Sequence, residues 1–259
     1  MSSARRFLPS SPRRIVRLVV AAGFAVASGL AAAADLTVAA AASLSSAFQE
    51  IGTAFAAANP GTRVQFTFAA SGQLLQQIAR GAPVDVFASA DQETMNQAEQ
   101  QKLVRPGTRA NFAGNSLVLI GPFDRPPAKN LADLAGPAFR QIAIGVPASV
   151  PVGRYTQAVL EKAGLWPQIE AKTIGAQSVR QVLDYVARGE VDAGFVYATD
   201  AALMPDKVKI AFTVPTDRPV TYPIAVVAAS SNTAAERFVA YVGSAPAQAV
   251  LARFGFAKP

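Results

Sequence analysis

Two serines stand where strand-like runs give way to helix-like ones: Ser43 in "VAAAASLSSAF" (residues 38–48) and Ser71 in "FAASGQLL" (residues 68–75). Small residues precede both, Ala41-Ala42 and Ala69-Ala70, and leave room for a ligand to reach the backbone. Two more junctions have the same character, "VPVG" at 150–153 and "AQSV" at 176–179. A helix start leaves its first N–H groups without intrahelical acceptors, and its dipole favours negative charge. Serine adds a hydroxyl donor, so four such starts facing one cleft could hold an anion without any cationic side chain. The plainer role of Ser43 and Ser71 is to cap their helices. Tyr197, at the end of the strand-like "DAGFVY", offers a phenol that is either a further donor or an ordinary rim tyrosine.

Other chemistry is poorly supplied. The chain has no His and no Cys, which excludes a Ser-His-Asp triad, a Cys-His pair, imidazole metal ligands and disulfides. No Ser-x-x-Lys or Gly-x-Ser-x-Gly surrounds a serine, and no Gly-rich phosphate loop is present. Asp85, Asp91, Asp192 and Asp200 sit beside turns, where aspartate ordinarily serves the backbone.

The elements that would position these groups alternate strand and helix from residue 35 onward. "DLTVAAA" reads as a buried strand, and Leu44, Phe48, Ile51 and Phe55 form one helical face ending at Asn59-Pro60-Gly61. "RVQFTF" alternates with period 2, placing Val64, Phe66 and Phe68 together. A helix with Leu74, Leu75 and Ile78 follows, then the strand "VDVFA". Later strands are predicted at 116–120, 141–145, 171–175 and 192–197, with helices after Val152 and after Ser178. This rhythm predicts an α/β fold with parallel sheets covered by helices, where ligands bind beyond the carboxyl ends of the strands. "ARGAPVDVFASAD" (79–91) and "ARGEVDAGFVYATD" (187–200) echo each other, as two lobes built to one plan would. The division expected is a leader at 1–34, a discontinuous first lobe at 35–115 and 223–259, and a second lobe at 116–222.

The leader is basic ("MSSARRFLPSSPRRIVRL"), then short and apolar, and ends in alanines before Asp35, as a secretory signal peptide does. It carries five of the 24 basic residues, leaving 19 against 17 acidic residues in the remainder. That balance gives no footprint for nucleic acid. Without a lipobox cysteine or a long apolar span, no membrane anchor is expected.

Several segments together resemble the periplasmic molybdate-binding proteins of ABC importers. They are "AAASL" (40–44), "FAASGQLLQQIARGAPVDVFASAD" (68–91), "GNSLVLIGP" (114–122), "VPVGRYTQAVLEKAGLW" (150–166), "SVRQVLDYVARGEVDAGFVYATDA" (178–201), "YPIAVV" (222–227) and "FGF" near the end. The resemblance runs from about Leu36 onward and rests on the order and spacing of these segments. It implies the two-lobed type II periplasmic binding protein fold, each lobe a mostly parallel sheet flanked by helices, with the ligand between the lobes. It further implies capture of molybdate or tungstate by Ser43 and Ser71 (hydroxyl and N–H), Val152 and Val179 (N–H) and Tyr197 (hydroxyl). Val152 occupies a position where alanine is usual in this family. Arg154 is expected in solvent. The resemblance implies a non-enzymatic periplasmic monomer with no cofactor, partnered by an inner-membrane ABC permease. A sulfate or phosphate receptor, or an exported serine hydrolase using Ser43 or Ser71, are the alternatives.

Overall fold

The computed structural model describes residues 34–259 and Ala4, so the predicted leader lies almost wholly outside the described residues. The first half of one lobe runs β1 (Ala34–Ala41), a 3-10 turn (Ala42–Leu44), α1 (Ser45–Ala58), β2 (Thr62–Ala69), α2 (Ser71–Ala79), β3 (Val86–Ala88), α3 (Gln92–Gln100) and β4 (Ala110–Asn115). The second lobe begins at β5 (Leu117–Pro122), a 3-10 turn (Leu131–Ala135) and β6 (Ile142–Gly145). It continues through α4 (Pro151–Lys162), α5 (Trp166–Glu170), β7 (Thr173–Ala176), α6 (Val179–Ala187), β8 (Ala193–Tyr197), α7 (Ala198–Ala201) and β9 (Val208–Thr213). The chain then returns with β10 (Val220–Val226), α8 (Ala234–Val242) and α9 (Ala245–Arg253).

Each lobe is built on a five-stranded sheet, ordered β2-β1-β3-β10-β4 in one and β7-β6-β8-β5-β9 in the other. In the first, β1 pairs parallel with β2 and β3, and β10 alone runs the other way between β3 and β4. In the second, β6 pairs parallel with β7 and β8, and β5 is the reversed strand between β8 and β9. The reversed strand is in each case the first one after the chain crosses over, at Ser116 into one sheet and through residues 214–219 into the other.

The sequence echo corresponds to this shared plan. α2 and α6 both end on a glycine in the left-handed region, Gly81 (φ 87°) and Gly189 (φ 68°). Both glycines close the helix with matching backbone bonds, Gly81 N–H to Ile78 and Ala82 N–H to Gln77 in one, Gly189 N–H to Val186 and Glu190 N–H to Tyr185 in the other. The aspartate just ahead of the next strand then ties it to its neighbour. Asp85 accepts from the Thr37 N–H at 2.9 Å, and Asp192 accepts from the Arg140 and Gln141 N–H groups at 2.7 and 3.1 Å. These two aspartates therefore serve the backbone, as their turn positions predict.

The helices bury the expected stripes. Phe48, Ile51 and Phe55 of α1 are fully covered, and Phe48 and Phe55 both meet Phe238 of α8 edge-on, at centroid distances of 6.2 and 5.2 Å. On β2, Val64, Phe66 and Phe68 share the packed face while Arg63, Gln65 and Thr67 are exposed. Among the described residues, no helix is long and apolar enough to cross a membrane.

Candidate functional site

The carboxyl ends of the central strands of both lobes face one small cavity. Ser43, Ser71, Val152, Val179 and Tyr197 all line it, together with Ala41, Ala42, Ala69, Ala70 and Ala90. Its volume is about 10 Å³, the room of a single water-sized body, so a tetrahedral oxyanion enters only if the surrounding walls move slightly apart. No charged side chain lines it.

Neither serine hydroxyl caps a helix. Ser43 lies within the 3-10 turn, α1 starts on a Leu44 cap, and no side-chain cap bond forms at either helix. Ser71 is the first residue of α2, whose cap position is Ala70, again without a side-chain bond. Capping at α6 falls to Ser178, which accepts from the Gln181 N–H at 3.2 Å. The hydroxyls of Ser43 and Ser71 are thus left for other partners, and both serines are buried, at 3% and 0% exposure.

The partners they have fix the direction of their protons. Ser71 Oγ accepts from the Ala90 N–H at 3.0 Å, which leaves its own proton free to donate. Ser43 Oγ lies 3.1 Å from the Tyr222 phenol, where either oxygen could donate. Asn115 favours one of them. Its Oδ1 accepts from the Ser116 N–H at 2.9 Å, which orients the amide so that Nδ2 donates to Tyr222 at 3.2 Å. With the phenol accepting that bond, Ser43 is its remaining acceptor, and the arrangement that satisfies the buried phenol proton leaves the Ser43 proton for the cavity. Burial raises the Tyr222 and Tyr197 pKa values well above the usual range, and both phenols stay protonated as donors. Tyr197 Oη makes only a long contact, 3.5 Å to the Ala90 carbonyl.

Two backbone donors complete the ring. Val152 and Val179 are the second and first residues of α4 and α6, so neither N–H has an intrahelical acceptor. Pro151 begins α4 at the position where a missing N–H costs nothing. Gly153 then lets the helix settle on the end of β6, since a Cβ there would stand 1.9 Å from the Gly145 carbonyl oxygen. Val152 is 1% exposed and belongs to the core, with one methyl against Gly145. Hence the larger side chain does not remove the amide from the cavity wall.

One expectation fails. Arg154 is not in solvent. Its Nε and Nη2 reach Asp91 at 2.8 and 2.7 Å, Nη2 reaches Thr94 Oγ1 at 2.6 Å, and Nη1 donates to the Pro147 carbonyl at 3.0 Å. Asp91 and Thr94 belong to the first lobe, and Arg154 to the second. Tyr222, Asn115 and Asp91 therefore support the site although sequence reasoning did not single them out for it. The one signal pointing to any of them is the aspartate that closes each half of the echo, Asp91 and Asp200.

The family model described as bacterial extracellular solute-binding protein matches residues 36–257. The molybdate-binding protein ModA of Escherichia coli is 37% identical over 225 residues, covering 83% of this chain and 86% of that protein. ModA of Haemophilus influenzae is 35% identical over 224 residues, covering 83% and 87%. Among solved structures, the periplasmic molybdate-binding protein of Azotobacter vinelandii superposes with a TM-score of 0.74 at 28% identity, covering 86% of this chain and 99% of that one. The sulfate-binding protein SubI of Mycobacterium tuberculosis also reaches a TM-score of 0.74, at 19% identity over 86% of each chain, and shares the fold. The chain belongs to the bacterial extracellular solute-binding proteins, within the group that holds the molybdate-binding proteins, and has their two-lobed type II fold.

Proposed function

We propose that the protein is a periplasmic receptor that captures molybdate, and also tungstate, between its lobes and delivers it as a monomer to an inner-membrane ABC permease. What supports this reading is that the five residues named as donors all line one compact cavity that no charged side chain lines. The hydroxyls of Ser43, Ser71 and Tyr197 and the N–H groups of Val152 and Val179 are neutral groups able to donate, which suits a ligand that only accepts. Fixed dipoles in a closed site hold a dianion well because they need no reorganisation and the bonds are charge-assisted. Size then separates the anions. A smaller tetrahedral ion such as sulfate leaves some of these buried donors stretched or unpaired, which is costly.

A nucleophilic role for the serines lacks its base. Ser43 Oγ meets a phenol and Ser71 Oγ a backbone N–H, and neither partner can take a proton at neutral pH. The family is one of transport receptors rather than enzymes.

Isothermal titration calorimetry against molybdate, tungstate, sulfate and phosphate tests the reading. For a five-atom ligand at about −1.5 kcal/mol per atom, binding of roughly −7.5 kcal/mol, micromolar or tighter, is expected for molybdate and tungstate. Sulfate binding as tightly as molybdate would overturn the size argument.

A further inference from the structure

Behind the cavity wall lies a buried ion pair that touches three of the five donor residues without lining the cavity itself. Arg180 follows Val179 in the first turn of α6, and its Nη2 donates to the Ser43 carbonyl of the other lobe at 3.2 Å. Its Nε stands 2.9 Å from Asp200 Oδ1, but no aligned hydrogen bond forms between them, and among the described residues both buried atoms lack a hydrogen-bond partner. The other oxygen of Asp200 accepts from the Tyr197 N–H at 3.3 Å. Asp200 is completely buried, while a quarter of the Arg180 side chain reaches solvent.

Such a pair is a poor way to stabilise a fold. Burial pushes the Asp200 carboxyl up to about 6, against the lowering effects of Arg180 and the Tyr197 N–H. Desolvation therefore outweighs the attraction, and the ionised carboxylate costs the folded chain stability. Buried titratable groups with perturbed pKa values cluster at functional sites.

We propose that Arg180 and Asp200 are positioning residues of the anion site. They form a brace from the Ser43 carbonyl on one lobe, through guanidinium and carboxylate, to Tyr197 on the other. The brace rests on the receptor function proposed above. It fixes the 3-10 turn that carries Ser43 against the start of α6, which carries the Val179 N–H, and it holds the β8 end from which the Tyr197 phenol projects.

The test compares molybdate binding by calorimetry at about pH 7.5 with urea unfolding in the absence of anion. The variants are Asp200→Asn, Arg180→Lys and the neutral double variant R180Q/D200N. Asp200→Asn and the double variant are expected to lose tenfold or more in affinity, with unfolding midpoints equal to or above that of the unaltered protein. Arg180→Lys keeps the charge but cannot reach Ser43 and Asp200 together, so it is expected to recover only part of the loss. Unchanged affinity in both Asp200 variants overturns the brace, as does a loss of affinity that comes only with a matching loss of stability. If the unaltered protein binds none of the four oxyanions, the receptor reading falls and takes the brace with it. Normal binding in that protein together with indifferent variants removes the brace alone.

Discussion

Arg154 and Asp91 meet across the cleft at 2.7 Å, one on α4 of the second lobe and the other at the start of α3 in the first. The carboxylate is 5% exposed and serves two masters, since Oδ1 also caps α3 by accepting from the Thr94 N–H at 3.1 Å. The guanidinium in turn is held by the Pro147 carbonyl on its own side. The closed arrangement of the lobes thus includes an ion pair just outside a ring of neutral donors.

Replacing Arg154 should therefore weaken binding although it is no ligand. Arg154→Gln is expected to lower molybdate affinity by about 1–3 kcal/mol, because a largely buried carboxylate loses its partner on closure. Asp91→Asn retains a good helix cap and so isolates the charge. A double-mutant cycle over the two positions, read by calorimetry, should show a coupling of about 0.5–3 kcal/mol. Strict additivity would mean that the pair does not support the closed state.

Gly72 separates fold stability from closure. Its N–H donates to the Ser149 carbonyl of the opposite lobe at 3.0 Å, and a Cβ on it would stand 2.7 Å from that oxygen and 2.9 Å from the Ser149 Cα. Backbone cannot yield as a flexible side chain does. Gly72→Ala favours the α2 helix by up to about 1 kcal/mol, yet it should hold the lobes apart and reduce molybdate affinity at least tenfold. Thermal unfolding and calorimetry on the same sample check both halves. An alanine variant that binds normally would show that the approach of Gly72 to Ser149 is not needed for binding.

The proton relay into Ser43 yields a graded pair of variants. Ser43→Ala removes a donor of the proposed anion site and should cost about 1–3 kcal/mol of affinity. Tyr222→Phe leaves the serine in place but lets its hydroxyl turn away, so a smaller loss of about 0.5–1.5 kcal/mol is expected. Asn115 keeps Thr199 Oγ1 as an acceptor at 2.8 Å in that variant, which limits the damage to the fold. Equal losses in the two variants would argue that Tyr222 itself contacts the ligand.

How far the site was legible in the sequence follows from the range of its interactions. Junctions such as Ala41-Ala42-Ser43 and Ala69-Ala70-Ser71 depend on neighbours in the chain, and local pattern predicts them well. The period-2 run of β2 and the α1 stripe were readable for the same reason. Strand β9 and helix α3 carry no clear pattern: Val208–Thr213 is an edge strand with mixed burial, and Gln92–Gln100 is a largely polar helix with a narrow buried face. The place of Arg154 is not legible because its partner lies 63 residues away in the other lobe. Tyr222 meets Ser43 from 179 residues away, through a strand that returns after the whole second lobe. Only closure of the fold brings such groups together, so spacing cannot announce them. The paired aspartates that end the two echoing segments were the nearest thing to a clue, and each proves to face an arginine at the start of a donor helix.

Asp200 also predicts a pH dependence with a definite sign. The folded chain holds its carboxyl at about 6, whereas the usual value is 3.8. Between roughly pH 4 and pH 6 the folded state therefore keeps a proton that the unfolded state has lost, and stability falls as pH rises through that window. Above it the contribution is constant, and below it the contribution vanishes. The full effect is on the order of 3 kcal/mol. Asp35, whose pKa is lowered chiefly by the hydrogen bond from Arg63, works in the opposite direction but is common to both proteins and cancels in a difference. Urea unfolding of the unaltered protein and Asp200→Asn at several pH values should show the variant gaining on the original as pH climbs from about 4 to about 6. The difference should then level off. A flat difference across the window would mean that Asp200 ionises as an ordinary carboxylate, and that the brace behind Ser43 and Tyr197 carries no desolvation cost.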